Sequence, residues 1–227
     1  MTLEYKQFSN KSEIFNSFYN SLIEANLEKA INLSKEFIKS DNDIVYFWEK
    51  VILPSLYKIG KEWEDENITV GEEHVATSIC QRVMSEHYSK ILKHIKKRKN
   101  ILVTTGSFEL HEVGARMLSD ILELKAYDVT FLSSTSSFEE IMKSIYDEDI
   151  DFIIISSTII SNIPKVFDLS KKIKESYVGE KMPIIILGGQ AFFRDKSSQK
   201  TDYADYYIKN VDDLLSLLKR YECAKIK

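Results

Sequence analysis

A carboxylate two residues before a histidine on a short loop can serve a metal. Glu109 and His111 stand this way in the stretch Thr105-Gly106-Ser107-Phe108-Glu109-Leu110-His111-Glu112-Val113-Gly114. One ring nitrogen of an imidazole can ligate a metal while an acid on the other fixes tautomer and ring orientation. A histidine on a polar loop can equally be just solvated, and the spacing alone does not decide between the two. Two later stretches offer room for a ligand. Ser156-Ser157-Thr158 is small and hydroxylated, and Gly188-Gly189 allows close backbone approach. Their plainer readings are the end of a strand and a turn. In the first half, Trp63 precedes Glu73-His74 by nine intervening residues. On its own that pattern reads as a core tryptophan and a surface pair. Neither Gly-x-Gly-x-x-Gly nor a lysine-containing phosphate loop is present. No Ser-His-Asp arrangement or paired-carboxylate site stands out, so catalysis by the chain alone is not expected.

The elements that must position these residues fall into two kinds. Up to Asn100 the only breakers are Pro54, Gly60 and Gly71, and apolar residues recur at helical spacing. Four helices are predicted: Lys11 to Ala25, with Ser9 or Asn10 as cap, Leu27 to Ser40, Asp43 to Trp63, and one starting after Thr69. Pro54 is expected to kink the third. Thr69 with Glu72 forms a capping box for the fourth, which could run to about Arg98. A four-helix bundle follows over residues 1–99. From Asn100 the rhythm changes to strand and helix in alternation. Strands are predicted at Ile101–Thr104, Asp128–Leu132, Phe152–Ser156, Ile184–Leu187 and Tyr206–Ile208. Helices are predicted at Val113–Leu124, Ser137–Tyr146, Lys165–Tyr177 and Val211–Tyr221. Runs such as Ile153-Ile154-Ile155 are apolar on both faces, as a covered parallel sheet requires. Residues 100–227 thus read as a five-stranded parallel Rossmann-like, flavodoxin-like domain. The basic run Lys96-Lys97-Arg98-Lys99 suits the last turn of the long helix better than a nucleic-acid patch.

Composition excludes several partners. With 227 residues, 44% hydrophobic and 29% charged, the chain is an ordinary globular protein. Its net charge of −4 gives no general attraction for nucleic acid or anionic membrane. No apolar run is long enough to span a membrane, and no signal-peptide pattern opens the chain. Cys80 and Cys223 make no disulfide framework. A cytoplasmic location with free thiols is the expectation.

Taken together, Glu109-x-His111-x-x-Gly114, Ser156-x-Thr158 and Gly188-Gly189 resemble the three-part signature of cobalamin-binding Rossmann-like domains. That family usually carries Asp-x-His-x-x-Gly, Ser-x-Leu and Gly-Gly in this order. The resemblance implies that His111 ligates cobalt from below, displacing the dimethylbenzimidazole base. The nucleotide tail would then enter a slot beside Ser156, Thr158, Gly188 and Gly189. Glu replaces Asp at 109 and must still reach the ring nitrogen; Thr replaces Leu at 158 and gives up apolar contact.

The spacing of Trp63 and Glu73-His74 is similar to the Trp-x9-Glu-His motif of cobalamin-binding sensors, the CarH-type photoreceptors among them. That likeness implies that Trp63 covers the upper axial ligand, Val70 packs on it, and Glu73 and His74 line its pocket. The expected cofactor is adenosylcobalamin, with methylcobalamin or hydroxocobalamin as alternatives. Light would cleave the cobalt–carbon bond, and the bundle would shift against the second domain. The signal would pass to a regulatory protein or to a second copy in a homo-oligomer, with no direct contact to nucleic acid or membrane. Two features depart from the photoreceptors: no stretch suits a winged-helix domain, and Glu64 stands where they have histidine. The alternative is the corrinoid carrier subunit of a methyltransferase system, which has the same domain order. A mutase small subunit fits the bundle less well.

Overall fold

The computed structural model describes residues 11–94, 98–106, 109, 111–195, 197, 199 and 202–223. The candidate caps Ser9 and Asn10, and Lys96 and Lys97 of the basic run, lie outside them. The chain divides into two compact units, Met1–His94 and Ile95–Lys227.

The first unit is all-helical: α1 (Lys11–Ile23), α2 (Leu27–Phe37), α3 (Asp41–Phe47), a π-helical turn (Trp48–Ile52), α4 (Leu53–Glu64) and α5 (Val70–Ile91). The stretch Asp41–Glu64 runs without a break, so the expected four helices are present. The kink expected at Pro54 takes the form of the π turn. Proline has no N–H, and its ring would crowd the carbonyl four residues back in a regular helix. Just before it, Leu53 N–H reaches back five residues to Trp48 O.

Two helix ends differ from expectation. Ser40 does not close α2 but opens α3: its Oγ accepts from Asp43 N, and Asp43 Oδ2 accepts from Ser40 N at 2.8 Å. The reciprocal pair uses aspartate where the usual capping box has Glu or Gln. Helix α5 ends at Ile91 rather than near Arg98. The described part of the basic run serves the second unit instead. Arg98 donates to Tyr127 Oη at 3.1 Å and lies 3.5 Å from Glu222, and Lys99 pairs with Asp151 at 2.5 Å. Inside the bundle, Phe18 meets Phe47 edge-on at 5.2 Å, and Phe47 lies against Trp48, all three fully buried.

The second unit is a doubly wound sheet of β1 (Asn100–Thr105), β2 (Asp128–Leu132), β3 (Phe152–Ser156), β4 (Ile184–Gly188) and β5 (Tyr206–Ile208). All pairings are parallel, in the order β2-β1-β3-β4-β5. Its helices are α6 (Val113–Leu124), α7 (Phe138–Asp147), α8 (Ile163–Ser176), the short α9 (Ala191–Arg194) and α10 (Val211–Cys223). Leu102, Ile153, Ile155 and Leu187 face Ile141 and Ile145 of α7 and Val166 and Ile173 of α8. On the opposite face, Ile101, Val103, Ile154 and Ile186 meet Leu122 of α6 and Leu214 and Leu218 of α10. Coverage on both faces is why these strands are apolar throughout.

Candidate functional site

Chain order 2-1-3-4-5 reverses direction between β1 and β3, and in such sheets ligands sit beyond the strand ends at that switch point. The loop after β1 crosses this point and carries Glu109, which is wholly buried. Oε1 of Glu109 accepts from His111 N at 3.2 Å and lies 2.6 Å from His111 Nδ1. Its Oε2 accepts from Ser157 Oγ, Thr158 N, Ile159 N and Asn162 Nδ2 at 3.1–3.3 Å. Burial works to raise the carboxyl pKa, but the hydrogen bonds from His111, Asn162 and Ile159 outweigh it and bring it down to about 2. Glu109 is therefore ionised at neutral pH.

An ionised carboxylate can only accept, so a neutral imidazole keeps its proton on Nδ1 and donates it to Glu109 Oε1. Nε2 of His111 is then the nitrogen with a lone pair to give. The ring is about half exposed, at 48%, while its carboxylate partner is fully enclosed. The longer side chain of glutamate does reach the ring. It also spans to the loop after β3, so one carboxylate ties together the two loops that flank the switch point. Glu112 adds a tie to the loop after β2, where its Oε1 accepts from Ser134 N at 2.6 Å.

The loops after β3 and β4 lock through their backbones. Ser157 N donates to Gly188 O at 3.0 Å, and Ala191 N donates to Ser157 O at 3.1 Å. Gly189 has φ +96°, and a Cβ on it would lie 2.3 Å from Ser157 O. Glycine is demanded there twice over. Ser156 pairs in register with Gly188, so small residues end both strands. At Gly114, in the first turn of α6, an added Cβ would meet nothing within 4 Å. Packing among the described residues gives no reason for that glycine, which weakens a helix by about 1 kcal/mol relative to alanine.

The first-half candidates flank the turn from α4 to α5 in the other unit. Trp63 is 45% exposed and Val70 is 53% exposed, so Trp63 leaves the buried stripe formed by Trp48, Ile52 and Ile59. His74 is largely exposed, with Nε2 3.5 Å from Glu73 Oε2, and Glu73 Oε1 accepts from Thr77 Oγ1 at 2.9 Å. Glu64 is exposed beside Lys61. The turn is tightly made: Asn67 N donates to Glu62 O, Glu66 takes φ +61°, and the expected Thr69–Glu72 capping box is present. Glu109, His111, Gly114, Ser156, Thr158, Gly188 and Gly189 all gather at the C-terminal edge of the sheet.

Asn162 and Ser157 were not singled out from sequence. Ser157 sits among hydroxyls expected to face a ligand, yet it is fully buried against Glu109. Asn162 directly precedes α8, which starts at Ile163, two residues earlier than expected, with Pro164 in its first turn. The Asn-Ile-Pro run was the available signal. Among the described residues no group of three or more His, Cys, Asp or Glu could hold a bare metal ion. A lone oriented histidine suits a metal that brings its own equatorial ligands.

Residues 14–86 match a family model described as a B12 binding domain, and residues 99–211 match a second model with the same description. Among solved structures, the monomethylamine corrinoid protein of Methanosarcina barkeri matches with a TM-score of 0.75 at 15% identity. The match covers 92% of this chain and 98% of that one, and shows a shared fold. Two looser likenesses have TM-scores below 0.5. A cobalamin-binding protein from Desulfitobacterium hafniense DCB-2 gives 0.48 at 14% identity, covering 91% of this chain and 98% of that one. The methanol:cobalamin methyltransferase complex MtaBC from Methanosarcina barkeri gives 0.44 at 12% identity, covering 94% and 81%. No curated protein sequence matches the chain.

Proposed function

The chain belongs to the B12-binding domain family and binds cobalamin, and we propose that it is the corrinoid-carrying subunit of a methyltransferase system. What supports the carrier over the light sensor is the fold likeness to a corrinoid protein along nearly the whole of both chains. In this reading the chain catalyses no reaction alone and presents its cofactor to a methyl donor enzyme and a methyl acceptor enzyme in turn.

His111 would hold the cobalt through Nε2 with the benzimidazole base displaced. Bound there, the corrinoid supplies a metal centre that can accept a methyl group and give it up again. Glu109 keeps the imidazole in the required tautomer, and Ser157, Thr158, Ile159 and Asn162 keep Glu109 ionised and fixed. Ser156, Thr158, Gly188 and Gly189 would line the slot for the nucleotide tail, and Gly114 would let the ligand approach the start of α6. Trp63, Val70, Glu73 and His74 would form the bundle's contribution to the upper side of the corrin.

The adenosylcobalamin sensor remains the second reading, favoured by the exposure of Trp63 and Val70 beside the Glu73–His74 pair. One reconstitution separates the two. The carrier binds methylcobalamin and hydroxocobalamin at least as tightly as adenosylcobalamin, and green light leaves its elution volume unchanged. Marked preference for adenosylcobalamin with a light-dependent elution shift would replace the carrier with the sensor. In either case His111→Ala abolishes the base-off, histidine-on spectrum; an unchanged spectrum would remove His111 as the ligand.

A further inference from the structure

Thr105 closes β1 and is 2% exposed, and its hydroxyl oxygen has no hydrogen-bond partner among the described residues. Thr104 beside it does have one, donating to the Thr105 carbonyl at 3.4 Å. Native proteins leave few buried hydroxyls unpaired, because water is lost and nothing replaces it. Valine has the same shape without that cost. The threonine therefore asks for a partner that the described residues do not supply.

Its position says where the partner comes. Side chains alternate along a strand, and Ile101 and Val103 belong to the face covered by α6 and α10. Thr105, two residues further on, falls on that same face. In register it pairs with Ser156, which pairs with Gly188. Along β1, β3 and β4 the apolar rows of Val103, Ile154 and Ile186 give way at the strand ends to Thr105, Ser156 and Gly188. Bulk is withdrawn across three adjacent strands, and Gly114 leaves open space at the start of α6.

We propose that the Thr105 hydroxyl donates a hydrogen bond to the nucleotide tail of bound cobalamin, in the slot that Ser156 and Gly188 share. This assignment rests on the reading that the tail is inserted with its base off the cobalt. The tail is rich in acceptors, so a donor at the end of β1 has a partner when loaded. The unloaded protein carries the unpaired hydroxyl as a cost to its own stability.

The test compares aquocobalamin with cobinamide, which lacks the nucleotide tail, by spectrophotometric titration of wild type and Thr105→Val, with thermal unfolding of both unloaded proteins. The wild type binds aquocobalamin more tightly than cobinamide. Thr105→Val weakens aquocobalamin binding by about two- to tenfold, the range of one net hydrogen bond, and leaves cobinamide binding unchanged. Its unloaded melting temperature is equal to or above wild type, and Thr105→Ser restores the preference. Thr105→Ala, titrated in the same way, guards against a valine variant that fails to fold. Equal weakening toward both ligands, or undiminished aquocobalamin binding, would overturn the assignment of Thr105. A wild type that does not distinguish the two ligands would overturn tail insertion, and Thr105 with it.

Discussion

Asn162 Nδ2 donates to Glu109 Oε2 across 3.1 Å, joining residues 53 positions apart in the chain. Glutamate divides its oxygens, one for His111 and one for the loop after β3, and Asn162 holds the second in place. Replacing Asn162 by alanine removes one donor to a buried charge and costs about 1–2 kcal/mol at neutral pH. Because the bond favours the ionised form, the Glu109 pKa rises in the variant. The stability difference from wild type accordingly shrinks below the pH at which Glu109 protonates. Urea unfolding at pH 7 and at pH 2 or just below measures both effects.

Glu109 itself sets an acid limit for the second unit. Its carboxyl is held at about 2 in the folded protein against an ordinary value of 4.5. A depressed acid pKa contributes stability that is complete above about pH 4.5 and lost as pH falls toward 2. At 1.36 kcal/mol per pKa unit the contribution is roughly 3 kcal/mol. Glu109→Gln leaves the site without a charged acceptor, and its unfolding free energy is expected to change less with pH between 4.5 and 2. A slope equal to that of wild type would show that other carboxylates dominate.

His87 should make the helical unit sensitive at higher pH. It is 2% exposed, packs edge-on against Trp48 at 6.0 Å, and shares a 2.9 Å hydrogen bond with Ser34 Oγ. Burial, aided by the charge of Lys90 and opposed by Glu86, pushes its pKa from 6.5 down to about 4. A buried neutral imidazole contributes stability that is complete above about pH 6.5 and falls away as pH drops to 4. The loss amounts to a few kcal/mol. Thermal unfolding of the unit, followed by Trp48 fluorescence, should show this fall, and His87→Gln should flatten it.

Two glycines should respond to alanine in opposite ways. Gly189→Ala forces a Cβ to 2.3 Å from Ser157 O at φ +96°, and is expected to destabilise by more than about 2 kcal/mol. Gly114→Ala meets nothing within 4 Å and should stabilise the unloaded protein by about 0.5–1 kcal/mol through helix propensity. If Gly114 makes room for the corrinoid, the same variant binds cobalamin more weakly. Melting temperatures with and without cobalamin separate the two effects.

Periodicity and breakers placed nearly every element, because amphipathic helices and two-sided apolar strands are written locally. The residues proposed to bear on a ligand are likewise legible as types and spacing: Glu109, His111, Gly114, Ser156, Thr158, Gly188 and Gly189. Helix ends were less so. The Ser40–Asp43 box lacked the usual glutamate, and no local mark showed that α5 would stop at Ile91. The Asn162-Ile163-Pro164 run marks a helix start, but which groups support Glu109 is not legible, because that depends on which loops the sheet order makes neighbours. Only the β2-β1-β3-β4-β5 order brings Ser157 and Asn162 to Glu109 and lines up Thr105, Ser156 and Gly188 across the sheet. From its own residues the chain determined a helical part, a parallel sheet and a carboxylate–histidine pair. What folding decided was which buried groups satisfy that carboxylate and which, like the Thr105 hydroxyl, have no partner among the described residues.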